Sequence, residues 1–415
     1  VAGAGAVAAM VSRVPEGLPP GACLLQVEDT LEGLRRLASA ARQRSGAKVI
    51  AVTGSVGKTG TKEALKLVLS AQGETHASSG SLNNHWGVPL SLARMPRDAA
   101  YAVFEIGMNH PGEIEPLVEL VRPQVAIITT VEAAHLAFFA SVEAIAEAKA
   151  EIFLGLEPGG TAILNRDNPH FDLLAARARE AGAGRIVGFG GHPAAEARLT
   201  NLALHARCSC IAAEICGQAI TYKVGAPGRH WVMNSLAVLA AVQAVGADLG
   251  LAGLKLAEMA PPAGRGQRHR VELRGAGIEL IDDSYNASPV SMRAAFAVLG
   301  QATPGQRGRR VAVLGDMLEL GDQAAVLHAG LAADLLAAKV DLVFTAGPNM
   351  QALHEALPGK RRGGHAADSA ALVEPLLRAL RGGDVVLVKG SYGSRMRLIV
   401  AALLNPPATP RAANG

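Results

Sequence analysis

The stretch Lys48–Val49–Ile50–Ala51–Val52–Thr53–Gly54–Ser55–Val56–Gly57–Lys58–Thr59 decides the fold. Its first six residues, rich in β-branched and small apolar side chains, read as a buried strand. A glycine turn follows, and then a helical stretch from Lys58 to Ser70. In such a setting backbone N–H groups curl around phosphate oxygens, and the helix N-terminus adds a favourable dipole. Lys58 then sets an ammonium on the outer phosphates, and Thr59 offers a hydroxyl to Mg²⁺. The loop is shorter by about two residues than the general G-x-x-x-x-G-K-[ST] pattern, so a literal pattern match passes over it.

Outward from this turn, apolar strands alternate with helical patterns. A helix is expected over Leu31–Arg44, and strands over Tyr101–Glu105, Val125–Thr130 and Thr161–Asn165. That alternation specifies an α/β fold with a mainly parallel sheet covered on both faces. From Leu199 to Val224 the rhythm changes to strand-like alternation with Gly217 at a turn, which reads as an antiparallel insertion. A helix over Met233–Val245 and a linker at Pro261–Pro262–Ala263–Gly264 come next. Strands over Ile278–Asp282, Val311–Gly315, Leu342–Ala346 and Val385–Lys389 then make a second open α/β unit, about 140 residues long. Residues 406–415, in a Pro- and Ala-rich tail, are expected to be disordered.

Composition narrows the function. The chain has 415 residues, enough for two or three domains, and at 49% apolar and 18% charged it can bury a core. Aromatics are only 3%, so that core rests on Ala, Val, Leu and Ile. Forty basic residues stand against 36 acidic ones, which leaves no field for nucleic acid as the main partner; Lys360–Arg361–Arg362 reads as a solvated loop. Four cysteines (Cys23, Cys208, Cys210, Cys216) make no disulfide framework, and Cys208 and Cys210, alternating on a strand, lack the further ligands a metal needs. No apolar run approaches the roughly 20 residues of a membrane span. The opening residues carry no basic segment of a secretory signal, and a soluble protein of a reducing compartment is expected.

Polar residues gather where strands end, the edge at which open α/β sheets bind ligands. Glu105 closes one strand and offers a carboxylate for Mg²⁺; His135 lies beyond the next, and Lys149 sits on the helix that follows. Each also has an ordinary account, as a strand-end acid, a capping histidine and a surface lysine. In the second unit Asp282–Asp283–Ser284–Tyr285–Asn286–Ala287 follows a buried strand, and adjacent acids there are favoured at a cleft rather than in a core. Gly315-to-Gly321 and Lys389–Gly390–Ser391 follow two more strands, so all three sets are expected on one sheet edge. Arg265, in the linker, is placed to swing toward bound phosphates.

Together these stretches resemble the Mur ligases. The resemblance rests on Thr53-to-Lys62 (TGSVGKTGTK), Ser81-to-Pro89 (SLNNHWGVP), Phe104-to-Ile114 (FEIGMNHPGEI) and Ala134–His135–Leu136. It continues with Ala148-to-Phe153 (AKAEIF), Asp282-to-Met292 (DDSYNASPVSM), Gly315-to-Gly321 (GDMLELG) and Val388-to-Met396 (VKGSYGSRM). It spans the chain from about residue 22 to residue 404, and the DDSYNA and GDMLELG forms resemble the member that adds a D-alanyl dipeptide. The resemblance implies an ATP- and Mg²⁺-dependent ligase of peptidoglycan synthesis that joins D-Ala-D-Ala to UDP-MurNAc-tripeptide through an acyl phosphate, acting as a monomer in the cytoplasm.

The resemblance also implies roles by position. Gly54, Ser55, Val56, Gly57, Lys58, Thr59 and Gly60 wrap the ATP phosphates. Thr59 and Glu105 hold one Mg²⁺, and His135 ligates a second. Lys149 matches a lysine that several Mur ligases carry as a carbamate, an anionic oxygen ligand beside the metal. Asn234 meets adenine, Arg265 the phosphates and Asp283 the ribose. Asn83 and Asn84 belong to the tripeptide side, and Asn286 and Ser288 face the dipeptide. Lys58, His135, Lys149 and Arg265 make up the catalytic set.

Two departures stand out. Trp231 occupies the position of the first asparagine in the family's His-Asn-x-x-Asn pattern, here His230–Trp231–Val232–Met233–Asn234. Only 47 residues precede the central unit, so residues 1–47 read as part of an N-terminal domain for the UDP end of the substrate, 48–262 as a central P-loop ATP domain and 263–405 as a Rossmann-like domain. Two competing readings follow. One is a nucleotide-binding remnant with an incomplete first domain, against which an intact Lys58, Glu105, His135 and Lys149 count. The other is a folylpolyglutamate-type or other amide-forming relative, against which the NN-x-x-GVP and DDSYNA segments count.

Overall fold

The computed structural model describes residues 5–18, 21–133 and 137–405. Strands β1 (Ala9–Val11) and β2 (Leu24–Gln26) pair in parallel as a small ribbon. The first large sheet is built from β3 (Lys48–Thr53), β4 (Thr75–Ala77), β5 (Tyr101–Glu105), β6 (Val125–Ile128), β7 (Thr161–Asn165), β8 (Arg185–Gly190), β9 (Ala197–Leu204), β10 (Ser209–Ile215) and β11 (Gln218–Val224). Their spatial order is β11-β10-β9-β8-β7-β6-β3-β5-β4. From β4 through β9 every neighbour is parallel, and β9, β10 and β11 are antiparallel.

The order turns about β3, with β4 and β5 on one side and β6 onward on the other. The chain therefore leaves β3 at the point where an open sheet presents a crevice at its carboxyl edge. β3 is apolar without alternation because both of its faces are covered. Val49 and Ala51 pack with the helices Thr30–Arg44, Gly87–Ala93 and Glu115–Val121, whereas Ile50 and Val52 pack with Lys58–Ser70 and Arg229–Ala244.

The expected antiparallel insertion is present, but it is no separate layer: Phe189 of β8 pairs with Ala197 of β9, so the insertion extends the parallel sheet. The helix expected from Met233 begins at Arg229, after Gly228 at φ 110°. Its first turn carries Trp231, which is buried with its ring against Gly60.

The second sheet contains β12 (Gln267–Leu273), β13 (Ala276–Asp283), β14 (Arg310–Gly315), β15 (Leu342–Ala346), β16 (Arg362–Ala366) and β17 (Val385–Lys389), in the order β12-β13-β17-β14-β15-β16. All pairs are parallel except β12 with β13. Ala312 and Leu314 face one helical layer, Val311 and Val313 the other. In the Lys360–Arg361–Arg362 cluster, Lys360 and Arg362 are exposed as expected, but the segment is a helical turn running into β16 rather than a plain loop. Arg361 pairs with Asp341 at 3.2 Å, and Arg362 opens β16 with its guanidinium on the carbonyls of Leu357 and Glu355. The four cysteines are unpaired, and no helix among the described residues is long and apolar enough to cross a membrane. The tail 406–415 lies outside the described residues.

Candidate active site

The carboxyl edges of the two sheets face each other across a cleft of about 1020 Å³. One wall is the glycine turn after β3. Gly54, at φ 145°, leaves no room for a side chain: a Cβ there would sit 1.9 Å from the Thr129 hydroxyl. That hydroxyl donates to the carbonyl of Val56 at 2.6 Å, and the Ser55 hydroxyl donates to that of Glu132 at 3.1 Å, so the end of β6 braces the loop. Gly57, at φ 91°, caps the helix Lys58–Ser70, and a Cβ there would meet the Asn234 amide at 2.8 Å. The backbone curl is therefore fixed by contacts on both sides before any phosphate arrives, which is the preorganisation an oxyanion site requires.

Lys58 bends back over this curl and donates to the Gly54 carbonyl at 2.6 Å. Burial holds its ammonium below the ordinary lysine range; Glu105 opposes that shift, and Arg265 adds to it. The next turn of the same helix carries Lys62, fully buried, which donates to the carbonyls of Ser78 and Gly80 and pairs with Glu63. Lys62 ties the phosphate helix to the segment that carries Asn83 and Asn84.

Glu105, at the end of β5 and 1% exposed, accepts from the Asn83 amide at 2.7 Å through Oε1. Its Oε2 is buried without a partner. A carboxylate oxygen left so costs free energy unless a cation meets it. Thr59, also buried, lines the cleft with it. A hard divalent cation with oxygen ligands fits this pair. Among the described residues no group of three or more His, Cys, Asp or Glu side chains comes together for a metal, so two protein oxygens leave such an ion short of anionic charge. His135 lies outside the described residues.

Lys149 does not line the cleft. It sits 2% exposed on the helix Val142–Ala150, close enough to Lys58 to feel its charge. Burial, with the Lys58 ammonium adding to it, pushes its basicity well below the usual lysine range. A surface lysine is thereby excluded. Among the described residues no carboxylate reaches it to oppose that shift, and a lower basicity favours the nucleophilic free amine.

The opposite wall belongs to the second sheet. Asp283 ends β13 and Lys389 ends β17, and their side chains pair at 2.8 Å. Burial raises the Asp283 carboxyl above its ordinary value; Lys389 and Arg265 pull it back. Lys389 also donates to the Asn286 carbonyl at 2.9 Å, which fixes the turn after β13. The Arg265 guanidinium lies over the Tyr285 ring, 4.3 Å from its centroid, and the Tyr285 hydroxyl donates to Ser81 of the first unit at 2.8 Å. Asn234, Arg265, Asp283, Asn286 and Ser288 all line the cleft, as do Asn83 and Asn84.

Two of these positions also serve the fold. The Asn84 side-chain Oδ1 accepts from the backbone N–H groups of Trp86 and Gly87, and Ser288 exchanges bonds with Ser291 at the start of the helix Pro289–Gln301. Trp231, where the family pattern carries asparagine, packs its ring against Gly60 and lines the cleft together with Asn234. Sequence reading did not single out Lys62, Tyr285 or Lys389 as individual site residues. A lysine four residues after the P-loop lysine is the one local signal that points to Lys62; the other two depend on how the sheets face.

Comparison with known proteins accounts for this arrangement. Residues 52–242 match the Mur ligase middle domain, and 269–392 match the Mur ligase glutamate ligase domain. The chain is 37% identical over 408 residues to the UDP-N-acetylmuramoyl-tripeptide–D-alanyl-D-alanine ligase of Escherichia coli K12, covering 96% of this chain and 85% of that one. A crystal structure of MurF from Acinetobacter baumannii superposes with a TM-score of 0.83 at 30% identity, covering 95% of this chain and 84% of that one. The MurF ligase of Thermotoga maritima in complex with ADP superposes at 0.80 and 26% identity, covering 96% and 88%. With two family domains in the order in which the two sheets occur, and identity spread over nearly the whole length, the chain belongs to the Mur ligase family.

Proposed function

We propose that the chain joins D-Ala-D-Ala to UDP-MurNAc-tripeptide, with conversion of ATP to ADP and phosphate, as a step of peptidoglycan precursor synthesis. The observation that carries this reading is the cleft itself, where a preorganised phosphate loop and an orphaned Glu105 oxygen face Asp283, Lys389 and Arg265 at about 1020 Å³ of shared volume. The relatives named for this reaction support it over a folylpolyglutamate-type substrate.

The chemistry follows from charge. A carboxylate is a poor electrophile, so it first attacks the γ-phosphorus of ATP, forms an acyl phosphate and releases ADP. The dipeptide amine then attacks the acyl carbon, loses a proton, and phosphate leaves with the former carboxylate oxygen. Bringing carboxylate and phosphate to about 4 Å costs roughly 4 kcal/mol per pair of unit charges at an effective dielectric near 20. Lys58 and Arg265 offset this repulsion and meet the charge that develops during transfer. Thr59 and Glu105 would hold Mg²⁺, which when bound neutralises phosphate charge and polarises the phosphoryl oxygens.

Residues Gly54 to Gly60 hold the phosphates, Asn234 the adenine and Asp283 the ribose in this reading. Asn83 and Asn84 meet the tripeptide; Asn286 and Ser288 meet the dipeptide. Lys149, when carried as a carbamate, would supply an anionic oxygen as a metal ligand, and His135 is assigned to a second metal. Residues 48–262 act as the ATP unit, 263–405 as the dipeptide unit and 1–47 on the UDP side. The enzyme works as a monomer in the cytoplasm. Mass spectrometry of a reaction with ATP, Mg²⁺, UDP-MurNAc-tripeptide and D-Ala-D-Ala tests the reading. A pentapeptide product equimolar with ADP is expected; ADP without coupled product, or coupling of a single glutamate in place of the dipeptide, overturns it.

A further inference from the structure

A second cavity, of about 390 Å³, opens at the other edge of the second sheet, where β13 and β17 begin. It is remote in function from the cleft, since the cleft lies at the carboxyl ends of the same strands. Arg268, His269 and Arg270 of β12 line it, together with Arg207 from the turn between β9 and β10. The first three belong to the second unit and Arg207 to the first.

The charges there do not balance. Glu279 accepts from Arg268 Nη1 at 2.8 Å and lies 3.7 Å from Arg207, so one carboxylate serves two guanidinium groups. Asp384 also lines the cavity, but Arg309 already holds it in a two-point pair, at 2.7 and 3.2 Å. Three arginines therefore share one free acid. Hydrogen bonding is also incomplete: Arg268 Nε and Nη2 and His269 Nε2 are buried with no partner. Buried guanidinium donors in native proteins are ordinarily satisfied, so Arg268, beside the cavity, is short of acceptors. An oxyanion with several oxygens matches planar, forked donors better than a lone water does.

We propose that this cavity is a binding site for a phosphate or phosphomonoester dianion, which Arg207 and Arg268 grip from the two units at once. The excess of about two positive charges suits a dianion, and the volume takes a small organic group along with the phosphate. Arg207, with 81% of its side chain exposed, is free to close on the ion. The inference does not depend on the ligase reading.

The test is calorimetric titration of inorganic phosphate into the full chain, first saturated with a non-hydrolysable ATP analogue and Mg²⁺ so that the phosphate loop is occupied, at constant ionic strength. Wild type is expected to take up one further phosphate. Arg207→Ala should weaken it by about tenfold or more, the scale of one charge-assisted hydrogen bond. Glu279→Gln should tighten it, because the competing carboxylate is gone. Circular dichroism verifies that both variants fold. Absence of phosphate uptake by the saturated wild type, or one affinity shared by all three proteins, overturns the proposal.

Discussion

Lys58→Met removes the ammonium that the phosphate loop is built around while keeping most of the side-chain volume. Two effects follow, and they separate. Stability should change little. The lost bond to the Gly54 carbonyl is worth about 0.5–1.5 kcal/mol. Against that loss, a cation already held below its normal basicity by burial, and crowded by Arg265, disappears. The net shift in unfolding free energy should stay within about 1–2 kcal/mol. Turnover should fall far more. Loss of one preorganised donor aimed at developing charge costs about 10²–10³ in kcat, or roughly 2.7–4 kcal/mol. A coupled ADP-release assay with both substrates, alongside urea denaturation, reads both quantities. A kcat within about fivefold of wild type in a folded variant would refute the assignment of the loop to the transferred phosphoryl group.

Four further outcomes are expected. Lys149→Met in carbonate-free buffer should be more stable than wild type at neutral pH. Because the folded-state basicity of Lys149 is depressed, the unfolded chain binds the extra proton, so wild type regains stability as pH rises toward the ordinary lysine range and the gap narrows there; urea midpoints from neutral to alkaline pH measure it, and a constant gap would count against a depressed basicity. In activity assays Lys149→Ala should be partly rescued by short carboxylates and Lys149→Arg should stay inactive, since guanidinium cannot become an anion. Gly57→Ala forces a side chain into positive φ and onto Asn234, so nucleotide affinity should drop by about tenfold and stability by about 1–3 kcal/mol, measured by ATP-analogue titration and thermal melts. Lys389→Met leaves Asp283 buried beside no cation except Arg265 and should cost about 3 kcal/mol, with much of it recovered in the double variant with Asp283→Asn, as a double-mutant cycle will report.

Local chemistry was the legible part of this molecule. The strand Lys48–Thr53, the glycine turn and the helix Lys58–Ser70 are written within a single stretch of chain, and the structure reproduces all three. The strands that carry Glu105, Asp283 and Lys389 were readable because buried parallel strands are short apolar runs. β12 was missed because its polar alternation, Arg268 and Arg270 about His269, looks like exposed chain; it becomes a strand only by pairing with β13. β4 and β16 escaped notice for a similar reason, as short, partly buried edge strands at the ends of their sheets. The antiparallel segment was legible, but its pairing to β8 was not, since register between distant strands leaves no local mark. Likewise Lys149 carried no sign of its burial. Its neighbours Ala148 and Ala150 fit a surface helix as well as a core one, and only the tertiary burial of all three separates the two.

The central claim is that the cleft activates a carboxylate by phosphorylation before the amine arrives. Oxygen transfer tests it most directly. With the terminal carboxylate of the UDP-MurNAc-tripeptide labelled in both oxygens with ¹⁸O, turnover in the presence of ATP, Mg²⁺ and D-Ala-D-Ala should place one ¹⁸O atom in each phosphate released, seen as an isotope-shifted ³¹P resonance. Unlabelled phosphate formed at the rate of peptide product would contradict the account, because the carboxylate oxygen would then never have been bonded to phosphorus.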